Sequence, residues 1–168
     1  MKKSNKKAQL QISFGVMFSI IIIIATLAIA GYVIVKFLST SEDVECKIFY
    51  SDLQKKIDEA WGSDGSAAYP FSKKTPGKTE KICFGFINQS LLDSKDKAVF
   101  DALNEYSNPN SKNNLFFYPI NSCGESAFAF SLKHIKSDGF FCVPVSGGEA
   151  NVKIAKGTFD ALVKLSKT

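Results

Sequence analysis

Arginine is missing from this sequence: all 21 basic residues are lysine. Bidentate clamps on phosphates and base edges rely on the planar guanidinium fork. No basic stripe replaces it, so nucleic acid is not an expected partner. Histidine occurs once, at His134. A catalytic triad or a histidine-rich metal site has no identified nucleophile or further ligand to join it. The four cysteines, Cys46, Cys83, Cys123 and Cys142, include no C-x₂₋₄-C pair, which argues against a zinc knuckle. Gly147-Gly148 lacks the spacing and the strand–helix setting of a phosphate loop and reads as turn chemistry. The acids are scattered; Glu125 and Asp138, which flank a strand candidate, read as solvated charge. A non-enzymatic protein with no cofactor, no metal and no small-molecule ligand is therefore expected.

Charge is also absent from Ala8 to Val35, and from Ile12 to Val35 the chain is almost wholly apolar. As a helix this run covers roughly 36 Å at about 1.5 Å per residue, against a hydrocarbon core of about 30 Å. Membrane lipid is thus the first expected partner. Lys2, Lys3, Lys6 and Lys7 precede the run, whereas Lys36 is followed by Glu42, Asp43 and Glu45. Lysines flanking a span stay on the cytoplasmic side, so the amino terminus is expected inside and the remainder outside. Ala28-Ile29-Ala30 before Gly31 matches an A-x-A cleavage pattern. However, the apolar run ahead of it is longer than a secretory signal needs, and Tyr32-Val33-Ile34-Val35 continues past it. Gly15, Ser19, Thr26 and Ala30 fall near one helical face, and such small residues allow close helix–helix approach in lipid.

Lys6-Lys7-Ala8-Gln9, directly before an uninterrupted apolar helix, resembles the class III signal of archaeal type IV pilins and archaellins. The resemblance implies that a short basic leader is clipped at the Ala8–Gln9 junction while the apolar segment stays in the product. Gln11-x-Ser13 followed by Phe14 partly echoes a Gln-x-Ser-x-Glu-Phe start. This chain departs from the pattern at the fifth mature position, where Ser13 stands in place of glutamate.

Outside the membrane, about 120–130 residues remain, the size of one ordinary domain. Taking the four leader lysines from the 21 leaves 17 against 16 acidic residues, so this part is nearly neutral. All four cysteines lie in it, and an even number in an oxidising compartment points to two disulfides. Of the three pairings that four cysteines allow, Cys46–Cys83 with Cys123–Cys142 is the one expected. Asn88-Gln89-Ser90 is a glycosylation sequon on the outer side.

Beyond Ser39, Val44, Ile48, Phe49, Leu53, Ile57, Ala60 and Trp61 recur at three- to four-residue spacing, with charges opposite, predicting an amphipathic helix. Gly62 is its expected stop. Residues 62–79 read as a loop. Lys81 to Asn88 alternates as a strand, with Ile82, Phe84 and Phe86 on one face and Cys83, Gly85 and Ile87 on the other. Asp93 or Ser94 caps a helix to about Tyr106, and residues 107–113 form a polar turn. Strands are expected over Leu115 to Ile120, from Phe128 through Phe130 and Leu132 to His134, and on either side of Ser146-Gly147-Gly148-Glu149, a hairpin loop. Thr158 to Leu165 closes the chain as a strand or short helix.

The fold class expected is α+β. Its parts are a basic cytoplasmic leader (1–11), a transmembrane helix (12–38), an amphipathic helix continuing outside (39–61) and an antiparallel-sheet head with one further helix (62–168). A long helix embedded in a β head also resembles type IV pilins. That resemblance implies a cell-surface subunit whose apolar helix packs with copies of itself. The alternative reading is an unprocessed, membrane-tethered binding or accessory domain.

Overall fold

The computed structural model describes residues 14–91, 93–108, 110–124 and 128–168, apart from the side chain of Ser39. The leader lysines, the Ala8–Gln9 junction, Gln11, Ser13 and Glu125 lie outside the described residues. The architecture is α+β: a long helix α1 (Phe14–Trp61), eight strands and a shorter helix α2 (Lys97–Tyr106). The chain divides into two compact units, 1–38 and 39–168.

In the first unit α1 is apolar on every side. In the second, Cys46, Phe49, Leu53, Ile57 and Ala60 form one fully buried stripe. Their steps of three and four residues keep them on one side of a helix that turns about 100° per residue. Val44, Ile48 and Trp61, expected on this stripe, are instead nearly half exposed. Nine residues separate Val44 from Leu53, which turns it to the opposite face. Gly62 ends α1 as expected, with its N–H donating to Asp58 O at 2.9 Å.

The strands are β1 (Ala67–Lys74), β2 (Lys81–Phe84), β3 (Leu115–Tyr118), β4 (Ala129–Phe130), β5 (Ile135–Lys136), β6 (Phe141–Ser146), β7 (Glu149–Lys156) and β8 (Val163–Lys167). They join in the order β4-β3-β2-β6-β7-β8-β5, with β1 also paired to β7. Every pairing is antiparallel except β5 with β8. Gly147 (φ 62°) and Gly148 (φ 80°) supply the two left-handed residues of the tight turn between β6 and β7. Strand alternation divides the interior. Ile82, Phe84, Leu115, Phe117, Phe141 and Val143 pack with the α1 stripe, whereas Cys83, Phe116 and Cys142 face Val99 and Leu103 of α2. Phe49 anchors the first layer, edge-on to Phe71 and Phe117 at 5.5 Å each.

β1 occupies part of the segment read as a loop. It contains Pro70 and ends in Lys73-Lys74, all turn-like in sequence. Yet it pairs with β7 over its full length, from Ala67↔Lys156 to Lys74↔Glu149. Beyond β7 it has no other strand partner among the described residues, and an edge strand tolerates proline and lysine. The strand expected from Phe128 to His134 is interrupted. Only Ala129–Phe130 is β4, and His134 sits in a bend at φ 61°.

The disulfides are Cys46–Cys123 and Cys83–Cys142, not the expected pairs. Cys83 and Cys142 stand directly opposite on β2 and β6. Cys46 opens the buried stripe of α1, where the Ile120–Cys123 turn reaches it. Tertiary placement outweighs nearness along the chain.

Candidate functional site

Along Phe14–Leu38 the large apolar side chains face outward. The most apolar 18-residue window of α1 has a mean hydropathy of 2.7, and none of it is buried. Among the described residues α1 is the one helix long and apolar enough to cross a membrane. Two hydroxyls in this surface bond back to the helix: Ser19 Oγ donates to Gly15 O at 2.8 Å, and Thr26 Oγ1 to Ile23 O at 2.9 Å. In hydrocarbon, where water is absent, a helix hydroxyl must bond back to its own backbone in this way or find a neighbour. Gly15, Ser19, Thr26 and Ala30 are all helical and exposed, and their spacing keeps them within about 60° of one another. They form a narrow lane of small side chains with bulky isoleucines on both sides.

In the head, a polar ladder on α1 grips the segment 131–134. Tyr50, Gln54 and Asp58 recur every four residues, so they stack on one helix face. The Tyr50 hydroxyl donates to Ser131 O at 3.2 Å. Gln54 Oε1 accepts the Lys133 N–H at 2.8 Å, and its Nε2 reaches Lys133 O at 3.4 Å. Asp58 Oδ1 lies 3.0 Å from His134 Nδ1. The hydrogen bond to His134 is the main cause holding the Asp58 carboxyl below its usual range, and a bond from Gln54 assists it. The imidazole stacks on Trp61 at 3.9 Å, nearly parallel, and the indole N–H donates to Ala161 O at 3.1 Å. His134 is therefore held on a helix-bound bend rather than in the expected strand. Sequence periodicity marked only the charged face here; the four-residue repeat of Tyr50, Gln54 and Asp58 was the signal available.

A second polar centre closes the side of β6. From Phe140 to Pro144, ahead of the pairing of Val145 and Ser146 with β7, the amides turned away from β2 are all accounted for. Phe140 N–H donates to Ser90 O at 2.9 Å, Cys142 N–H donates to Asp96 Oδ2 at 3.0 Å, and Pro144 has no N–H. Asp96, only 3% exposed, also receives Lys81 Nζ at 3.0 Å and Lys167 Nζ at 3.2 Å. Burial pushes its pKa up, but the hydrogen bonds from Lys81, Cys142 and Lys167 outweigh that and hold it below the usual carboxylate range. Burial works against the Lys167 charge, yet Asp93 and Asp96 hold its pKa above the ordinary lysine value.

Beside this centre, β6 and β8 diverge from their common neighbour β7 and leave a cavity of about 430 Å³. Phe84, Phe141, Ile135 and Leu165 supply its apolar surface. Lys136, Lys164, Lys167, Asp93 and Asp138 supply the charges. Gly85 reaches the cavity at φ 113°, pressed against Gly139 so closely that a Cβ would stand 2.6 Å from Gly139 O. This opening was not legible in the sequence, because it arises where two strands part.

Asn88 is exposed in the turn after β2, accessible for modification. Among the described residues no group of three or more His, Cys, Asp and Glu is arranged to hold a metal ion. Comparison with known proteins finds no matching family, no matching characterised protein and no matching solved structure.

Proposed function

We propose that this chain is a membrane-anchored cell-surface protein, a pilin-like subunit whose apolar helix serves both anchoring and self-association. The observation that carries this reading is the Phe14–Val35 surface, uncharged and apolar on every side, with the Ser19 and Thr26 hydroxyls bonded back to the helix. Such a surface is favourable in lipid or against like helices and costly in water. The Gly15–Ser19–Thr26–Ala30 lane suits close helix packing. Two disulfides suit a head that matures in an oxidising compartment. The lysine-rich start and the Ala8–Gln9 junction resemble an archaeal class III leader, and lysines ahead of the span favour an amino terminus inside and a head outside.

The cavity of about 430 Å³ favours one other reading, an unprocessed tether that holds a binding or accessory domain at the membrane. The mass of the membrane-extracted chain separates the two. Loss of the first eight residues supports the pilin-like subunit, and an intact start supports the tether. Repeating the measurement with reductant should add four hydrogens, two per disulfide. A chain that is soluble and fully reduced in the cytosol would overturn both.

A further inference from the structure

The loop between β7 and β8 carries the most exposed large apolar residue of the head. Phe159 is fully exposed, flanked by Leu162 at 40% and by Trp61 at 43%. The loop does not hang loosely. Gly157 N–H donates to Asp160 Oδ2 at 2.9 Å, Asp160 N–H to Gly157 O at 3.1 Å, and Ala161 O accepts the Trp61 indole. A short closed loop that turns an aromatic ring outward gains nothing from that ring in an isolated head.

Immediately after the loop, β8 enters the wall of the cavity, through Lys164 and Leu165. A knob and a hole thus adjoin on one strand. Their chemistry matches: the floor is Phe84, Phe141, Ile135 and Leu165, and the rim holds three lysines against two aspartates. The loop from Gly157 to Leu162 carries a single charge, the Asp160 carboxylate. Within one copy the rim lysines are already paired, Lys136 and Lys164 with Asp138 and Lys167 with Asp93 and Asp96. The match therefore rests on the apolar ring and floor, and Asp160 of a second copy competes with Asp138 for a lysine there. When donor and acceptor lie side by side on one surface, a two-fold axis lets each copy supply both, and the contact closes at two. Aromatic side chains seated in desolvated pockets dominate such interfaces.

We infer that the head docks onto a second copy of itself, Phe159 of each entering the β6–β8 cavity of the other and Asp160 meeting Lys136 or Lys164 at its rim. This rests on the self-association proposed above and adds a contact that the apolar helix does not make.

The test uses the full chain in detergent micelles, mixed as equal amounts of light and isotopically heavy copies and joined by a zero-length carbodiimide reagent. The expected result is cross-linked peptides of mixed isotope joining the 157–162 loop to Lys136 or Lys164. Their yield should fall at least tenfold in Phe159→Ala, a change at a fully exposed position that leaves the fold intact. Ser166→Phe, which fills the cavity, should have the same effect, with retained disulfides and an unchanged melting temperature as its control for folding. Cross-links confined to peptides of one isotope, or a mixed yield unmoved by Phe159→Ala, overturn the docking. So does occupation of the cavity by another molecule in place of the loop. If the chain sediments as an oligomer without the mixed peptides, the head contact fails and helix-driven association stands. A chain monomeric at every detergent ratio overturns both.

Discussion

One helix in this protein carries two opposite surfaces. From Phe14 to Leu38 its bulky apolar side chains are exposed all round, whereas from Cys46 to Ala60 a single stripe is buried and the remaining faces are polar apart from Ile48. Backbone geometry is shared, so the difference lies in the surroundings each segment suits. A narrow stripe matches a sheet face, and an all-round apolar surface matches lipid or other helices. Helix formation is common to both and decides neither.

The sharpest way to break the contrast is to give the first segment the polarity of the second. Ile23→Asp with Leu27→Asp should cost about 5–7 kcal/mol of membrane insertion. The chain should then move from the carbonate-resistant membrane pellet to the soluble or aggregated fraction. The head should keep its melting temperature if it still reaches the oxidising compartment.

A smaller change tests the buried stripe. Phe49→Ala removes a ring that touches both Phe71 and Phe117 and should destabilise the head by about 3–5 kcal/mol in denaturant titration. Phe18→Ala, the same deletion in the exposed segment, should leave that titration unchanged.

Asp96→Asn comes next, expected to cost about 2–3 kcal/mol because it weakens the hydrogen bonds to two lysines and a buried amide. The pH dependence has a definite sign. Asp96 is held below its unfolded value, near 3.9, so its contribution is fully present above that value. It is lost as pH falls through the folded one. Stability of the wild-type head should drop below about pH 4, and Asp96→Asn should flatten that drop. Asp58→Ala is the mildest, within about 1 kcal/mol for an exposed pair, and should instead release the lone tryptophan from its stacked imidazole. A shift in fluorescence without a large change in stability would show that the α1 ladder positions segment 131–134 more than it stabilises the head.

What the sequence revealed followed from local chemistry. The helix stop at Gly62 and the Gly147-Gly148 turn each need only a few neighbouring residues, whereas Asp93 caps a short 3₁₀ turn, Ser94–Asp96, ahead of α2 rather than α2 itself. The face pattern of Ile82, Cys83 and Phe84 was equally local, since strand alternation is set by the backbone. Four features escaped for lack of a local signal. β1 is recruited by β7 despite Pro70, and His134 is pulled out of alternation by α1. The disulfides join cysteines 59 and 77 residues apart, where spacing along the chain says nothing about approach. The cavity exists only because β6 and β8 share β7 and then part. The small-residue lane was legible by spacing alone, while the hydroxyl bonds that suit it to lipid needed coordinates.

The side of β6 sealed by Asp96 has a consequence at low pH. An aspartate, unlike a neighbouring strand, can be switched off by a proton. Acid strong enough to neutralise it loosens Lys81 and Lys167 together and bares the Cys142 amide to any passing chain segment. The carboxylate thus stands where a neighbouring strand would, and its hold on this stretch of β6 depends on the acidity of the medium.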